Sequence, residues 1–346
     1  MMNKFGFLSL GLIGGSIALA LRQICPDAHI TAYARRQSTL DEALSAGAID
    51  IGTTTINDLF SDCDLIFLCA PVAVNNQFLE QLKPILSDKT ILTDVGSVKG
   101  PIHETISRLG LDSRFIGGHP MAGSEKTGFA NANPVLLENA YYILTPTETV
   151  AKEAVAAYSS LVKSMGAIPI QLSAQEHDYV TAAISHVPHL VAAALANLVH
   201  DHDSAQETMK MIAAGGFKDI TRIASSSPDM WESICMSNTE NIANLLDDYI
   251  VSLQTISSAV RANNTVSPMI CSLPPKNTGT PSLICKEVLS PRYLPVMWTF
   301  LMKPARLHPL PHCLPKPGSR SKISASYITA ILRRACCGLS FMNRRR

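Results

Sequence analysis

The chain has 346 residues, 47% hydrophobic and 16% charged, enough apolar material for two or three folded domains and too much for a disordered chain. Its formal net charge of +1 hides a split. Residues 265–346 hold 13 Lys and Arg against one acid, Glu287, which leaves 16 bases and 27 acids in residues 1–264. Eleven of the 21 prolines and five of the nine cysteines also lie beyond residue 264. The other four cysteines (Cys25, Cys63, Cys69, Cys235) show no metal-ligand spacing and read as reduced, mostly buried thiols of a cytoplasmic protein.

In chain order, Phe5–Leu10 is an apolar, strand-like run that ends in glycines, and Ser16–Gln23 is helical in composition. Strand candidates follow at His29–Tyr33, Leu65–Cys69, Thr90–Thr93, Phe115–Ile116, Tyr141–Leu144 and Ile168–Leu172. Helix candidates lie at Thr39–Ala46, Val74–Leu86, Lys99–Leu109 and Val150–Met165. This alternation predicts an α/β domain with a mainly parallel, doubly wound sheet over residues 1–172. From Ser173 helical periodicity dominates to about Val260, broken at Pro188, Gly215-Gly216 and Pro228, so residues 173–264 read as an all-helical domain. Val180–Val199 has no formal charge but contains Ser185, His186, Pro188, His189 and Asn197, which favours a core helix over a membrane span.

Ser9-Leu10-Gly11-Leu12-Ile13-Gly14 leads from the first strand into the first helix and fits the dinucleotide fingerprint except at Ser9. Gly11 would let the backbone approach a pyrophosphate. Gly14 would let helix and strand pack closely, and the helix N-terminus would face the phosphates. These features make the sheet Rossmann-type. The second strand ends in Tyr33-Ala34-Arg35-Arg36, with Ala34 where an acid usually holds the ribose. The missing acid and the paired arginines leave NAD and NADP both open.

Further strings accumulate at Asp94–Lys99, Gly117–Ser124, Ser185–His189 and Gly216–Ala224. With Gly11–Ser16 they make residues 4 to about 262 resemble the prephenate dehydrogenases of tyrosine biosynthesis. The resemblance implies oxidative decarboxylation of prephenate to 4-hydroxyphenylpyruvate, with hydride transfer to NAD or NADP. Arogenate dehydrogenase, acting on the amino analogue, is the near alternative, and an inactive product of a damaged gene is another. The implied chemistry needs an acceptor for the substrate hydroxyl proton, and His119, after a strand-like run and two glycines, fits it. Ser97 would orient the hydroxyl or the nicotinamide, or cap the next helix. Arg222 would grip a carboxylate bidentately, or pair with Asp219. Resemblance places His189 toward the substrate and makes His186 structural. The candidate cofactor contacts are Gly11, Leu12, Ile13, Gly14, Arg35 and Pro71. Lys99, Lys126 and Lys218 would add a positive field for a dianion, and Trp231 reads as a core residue. No metal is expected, because His186 and His189 lack a third ligand. The long apolar helix suggests a homodimer, and neither nucleic acid nor membrane is expected as a partner.

Residues 265–346 have no clear periodicity. Back-translation in one shifted frame permits VDIPDEAG over 297–305, AEAGISIK over 314–322, GVLRIEFHE over 334–343 and AKEYRDSL over 274–283. Those strings, in order, resemble a small regulatory ACT domain and the segment leading into it. The tail therefore reads as that domain out of frame, with the shift near 263–267. A genuine basic tail that binds nucleic acid would show interleaved aromatics, which this one lacks.

Overall fold

The computed structural model describes residues 2–124 and 126–263. The expected out-of-frame segment, 265–346, lies outside them. Strand β1 (Lys4–Leu8) leads into helix α1 (Leu12–Ile24), followed by β2 (His29–Tyr33), α2 (Gln37–Ser45) and β3 (Ile51–Thr53). Then come β4 (Leu65–Leu68), α3 (Val72–Leu82), β5 (Ile91–Asp94) and α4 (Gly100–Arg108). The five strands pair in parallel in the order β3-β2-β1-β4-β5. The strand order reverses at β1, the switch point where doubly wound sheets bind ligands at their carboxyl ends. β3 is the strand that hydrophobic pattern did not announce, because Ile-Gly-Thr is too short and too polar to stand out.

Alternate residues of each strand face opposite layers, as strand geometry requires. Phe5, Phe7, Leu65 and Phe67 enter one core cluster together with Ile17 and Leu21 of α1. Leu8, Ile66 and Leu68 enter the other, with Leu79 of α3 and Ile102 of α4. The Phe7 and Phe67 rings stack at 4.8 Å. Full burial of a side chain of this size contributes about 1.5–3 kcal/mol, so the sheet carries helices on both faces for energetic reasons.

A second, three-stranded sheet follows, built from β6 (Ile116–Pro120), β7 (Tyr141–Pro146) and β8 (Ile168–Gln171), with α5 (Lys152–Ser164) between β7 and β8. These strands pair in the order β6-β7-β8, with β6 antiparallel to β7 and β7 parallel to β8. A parallel bridge between Leu92 and Phe115 aligns the start of β6 with β5.

The helical part opens at Ser173, whose hydroxyl accepts the Glu176 amide at 3.1 Å and caps α6 (Ala174–Thr181). A π-turn (Ala182–His186) joins α6 directly to α7 (Val187–His202). The break expected at Pro188 is therefore absent. The wider turn just before Pro188 absorbs the lost backbone donor without ending the helix. Then follow α8 (Thr208–Ile212), α9 (Gly215–Thr221), α10 (Pro228–Ser237) and α11 (Thr239–Arg261). The glycine pair and Pro228 do start new helices. The continuous helix Ala174–His202 is long and apolar enough to cross a membrane by length and composition alone. Its His177, Thr181, His186 and His189 are buried within the fold.

Candidate active site

The carboxyl ends of the strands lie level: Leu8 pairs with Leu68 and with Tyr33, and Leu68 with Asp94. The candidate residues emerge along this edge. After β1, Ser9 holds a positive φ of 80°, the conformation the fingerprint's missing first glycine would adopt without strain. A Cβ on Gly14 would come within 2.9 Å of both the Cys69 Cβ and the Ser9 carbonyl, so only glycine permits this approach of α1 to the sheet. A Cβ on Gly11 would meet nothing within 4 Å. That open space faces the first turn of α1, where Leu12 and Ile13 present amides without intrahelical partners. Gly11, Leu12, Ile13 and Gly14 thus form a cradle that fits a dinucleotide pyrophosphate. Pro71, exposed at the start of α3, follows β4 on the same edge. Arg35 and Arg36 are exposed after β2, and neither has an acidic partner among the described residues.

Ser97 lies half-buried in the turn after β5. It does not cap α4. That task falls to Asp178 of α6, whose carboxylate accepts the Lys99 and Gly100 amides at 2.7 Å each. The Ser97 hydroxyl has no hydrogen-bond partner among the described residues, so it is free for a ligand. The turn is held by Asp94, which accepts the Gly96 amide at 2.9 Å and the Gly118 amide at 3.1 Å. Lys99 is fully buried, pairs with Asp94 and donates to the Gly118 carbonyl at 2.8 Å. Its expected place in a field around the substrate is corrected: the ion pair is internal and locks β5 to β6. A Cβ on Gly118 would lie 2.6 Å from the Asp94 carbonyl, so β6 needs glycine there to come this close.

His119 sits within β6, opposite Ile143 of β7, not in a loop beyond the strand. Its Nδ1 lies 2.8 Å from Nε2 of His177, and His177 Nδ1 lies 2.7 Å from Asp178 Oδ1. Burial, and then the neighbouring His177, Lys99 and His186, hold His119 well below the ordinary imidazole range. It is therefore neutral near pH 7 and able to accept a proton. Sequence reasoning missed His177 and Asp178. Their one local signal was a His-Asp pair at the polar start of a helix that turns apolar further on.

His189 is buried and stacks on Trp231, with ring centroids 3.5 Å apart and planes within 7°. Trp231 is half-buried in α10 and meets His186 edge-on at 6.1 Å. It lines this cluster instead of filling a core. Trp231 Nε1 is buried without a partner, and His189 Nδ1 makes no well-aligned hydrogen bond, although the His189 ring lies against the Ile223 backbone. A polar atom left bare in this way suits a polar ligand. His186 faces the Asn238 amide at 3.3 Å, and burial lowers it to about 4. Arg222 begins a short 3-10 turn, Arg222–Ser225, that packs on α7. Its guanidinium is exposed, and the possible ion pair with Asp219 is not formed. The structure thus joins His119, His177, His186, His189 and Trp231 in one cluster, with the Arg222 turn against α7. Lys126 and Lys218 are exposed and make no ion pair among the described residues. No cluster of metal-binding residues occurs among the described residues. The four described cysteines are unpaired, and only Cys63 is fully buried, fewer than expected.

A glycine cradle at the switch point and a neutral histidine on the same edge define a dinucleotide-dependent oxidoreductase. The family model "Prephenate dehydrogenase, nucleotide-binding domain" matches residues 17–171, and "Prephenate dehydrogenase, dimerization domain" matches 173–269. A prephenate dehydrogenase of Bacillus subtilis is 40% identical over 254 residues, covering 72% of this chain and 68% of the relative. A cyclohexadienyl dehydrogenase of Zymomonas mobilis is 31% identical, covering 76% and 90%. The crystal structure of prephenate dehydrogenase from Aquifex aeolicus with hydroxyphenyl propionate and NAD+ superposes with a TM-score of 0.72 at 33% identity, over 76% of this chain and 92% of that one. Synechocystis arogenate dehydrogenase gives 0.67 at 33% identity, over 75% and 92%. The chain belongs to the prephenate dehydrogenase family.

Proposed function

We propose that this chain converts prephenate to 4-hydroxyphenylpyruvate and CO2. The observation that carries the reading is His119: a neutral imidazole on the ligand-binding edge, with Nδ1 engaged and Nε2 free. When bound, an oxidised nicotinamide supplies the hydride acceptor. His119 Nε2 takes the hydroxyl proton as the carbinol carbon loses hydride and its C–O bond becomes a carbonyl. The ring carboxylate then leaves as CO2, and the electron pair of the broken C–C bond aromatises the ring. His119 returns its proton to the phenolate, so no net proton is released. Ser97 orients the hydroxyl. Arg222, with the ring nitrogens of His189 and Trp231, holds the carboxylates.

The cradle Gly11–Gly14, with Pro71 across the edge, holds the dinucleotide. Ala34 leaves the ribose without a carboxylate, and Arg35 and Arg36 offer charge to a 2′-phosphate, so NADP+ is accepted beside NAD+. The exposed apolar side chains of the helical part close against a second copy in a homodimer, and the unpaired thiols fit a reducing, cytoplasmic setting. Residues 265–346 are read as a frameshifted regulatory domain. Resequencing the locus tests this, and failure to find a one-base change that restores an open frame removes it. Steady-state rates with prephenate and arogenate test the substrate: kcat/KM is expected to favour prephenate, and the opposite order would assign the amino analogue.

A further inference from the structure

We propose that His177 and Asp178 are positioning residues that set the tautomer of His119, keeping its proton on Nδ1 and its lone pair on Nε2. The inference deepens the reading of His119 as the proton acceptor and rests on it.

Asp178 accepts two backbone amides, Lys99 and Gly100, at 2.7 Å each. It does so at the N-terminus of α4, where the helix dipole also favours negative charge. An ionised carboxylate only accepts hydrogen bonds. The nitrogen 2.7 Å from Asp178 Oδ1, His177 Nδ1, must therefore carry hydrogen. His177 is completely buried, and burial together with Lys99 opposes a second proton on it. Its Nε2 is then a bare acceptor. The partner at 2.8 Å, His119 Nδ1, must be the donor. A neutral imidazole has one hydrogen, so Nε2 of His119 is left with a lone pair.

This matters because free imidazoles favour the opposite tautomer, with hydrogen on Nε2, which cannot accept the substrate proton there. Wrong-tautomer histidines cost orders of magnitude in serine hydrolases. The arrangement also assigns the two domains separate parts. His119 comes from the sheet, whereas His177 and Asp178 come from the first helix of the helical part. The Asn238 side-chain amide, between α10 and α11, donates to the Asp178 backbone carbonyl at 2.7 Å and braces that helix. The base is thus set only where the helical part is docked on the sheet. The titratable groups around His119 are His177, Lys99 and His186, and those around His177 are Asp178, Lys99 and Asp94.

The test uses the full chain with 15N-labelled histidine. Imidazole 15N–1H correlations identify the tautomer of His119, assigned by the signals lost in His119→Asn. In the wild type, hydrogen is expected on Nδ1. In His177→Phe the ring should revert to hydrogen on Nε2. The kcat should fall about 100-fold while KM for substrate and cofactor stays within about threefold. His177→Gln, whose side-chain oxygen can accept from Nδ1, should recover about tenfold of that loss. A wild-type His119 carrying hydrogen on Nε2, or a folded His177→Phe with unchanged kcat, overturns the proposal. The wild-type spectrum needs no variant, so the test survives a His177→Phe that does not fold. The spectrum reads the tautomer and turnover reads the reaction, so the two readings fail separately.

Discussion

At the scale of single residues, Ser9 shows how a departure from a motif is accommodated. The fingerprint's glycine is missing, yet the backbone keeps the glycine conformation, φ 80°. Ser9 donates its amide to the Tyr33 carbonyl at 2.9 Å, and its hydroxyl makes no hydrogen bond among the described residues. A left-handed non-glycine residue costs about 1–3 kcal/mol, part of which glycine would give back through unfolded-state entropy. Ser9→Gly should therefore raise stability by about 0.5–1 kcal/mol in urea unfolding; a loss of stability would show that the serine hydroxyl has a partner. At this scale the sequence was legible wherever chemistry is local. Gly14 could be read as a close-packing glycine because the motif itself demands one. His177 and Asp178 could not, because their partners lie 58 and 79 residues away. Lys99 read as part of a positive field for the substrate, and only the fold shows it buried against Asp94.

At the scale of elements, the turn between β2 and α2 is where the proposed choice between NAD+ and NADP+ is tested. Ala34 is buried at the end of the strand, and the exposed Arg35 and Arg36 precede α2. If these guanidiniums hold a 2′-phosphate, the Arg35→Ala, Arg36→Ala double variant should raise KM for NADP+ about tenfold or more. KM for NAD+ should stay within about twofold. Equal effects on both cofactors would remove the arginines from the phosphate site. Helix α6, the π-turn and α7 carry the other element-scale result. Pattern reading located the long apolar helix, because its composition is local. It placed a break at Pro188, because the π-turn that absorbs a proline has no sequence signature. That turn sets His177, His186 and His189 along one continuous helix.

At the scale of the whole molecule, two consequences follow from what the helical part buries and what it leaves open. First, the histidines His177, His186 and His189 of the helical part, and His119 of β6 against them, are held neutral. Burial lowers His186 from 6.5 to about 4 and also lowers His119, His177 and His189. A group with a depressed folded pKa binds its proton more readily when unfolded. Stability is therefore full above about pH 6.5 and is lost as pH falls toward 4. For His186 alone the complete loss is roughly 3 kcal/mol. The urea midpoint should be lower at pH 5 than at pH 7, and His186→Gln should flatten that slope; an unchanged midpoint would mean that these rings take up protons as readily in the fold as in the unfolded chain. Second, Met211, Ile212, Met236, Ile250, Val251 and Val260 are exposed, whereas the buried core cluster of this part is small, built on Ala182, Val187 and Ile242. A surface this apolar needs a partner. Sedimentation should give twice the chain mass, and the Ile250→Asp, Val251→Asp double variant should shift it toward the monomer. A wild-type monomer would refute the dimer. The alternation of strand and helix made the sheet legible at this scale, whereas the docking of the helical part on the carboxyl edge was not, since it depends on contacts such as Asp178 to Gly100.

The central claim is that a neutral His119 on this edge performs the proton transfer of prephenate oxidation. The most direct measurement follows reduced nicotinamide absorbance for purified wild type and His119→Asn, with prephenate and either NAD+ or NADP+. Wild-type turnover is expected, with a loss of about 100-fold or more in the variant and an unchanged fold by circular dichroism. A soluble, folded wild type without turnover, or a His119→Asn variant as fast as wild type, would contradict the account.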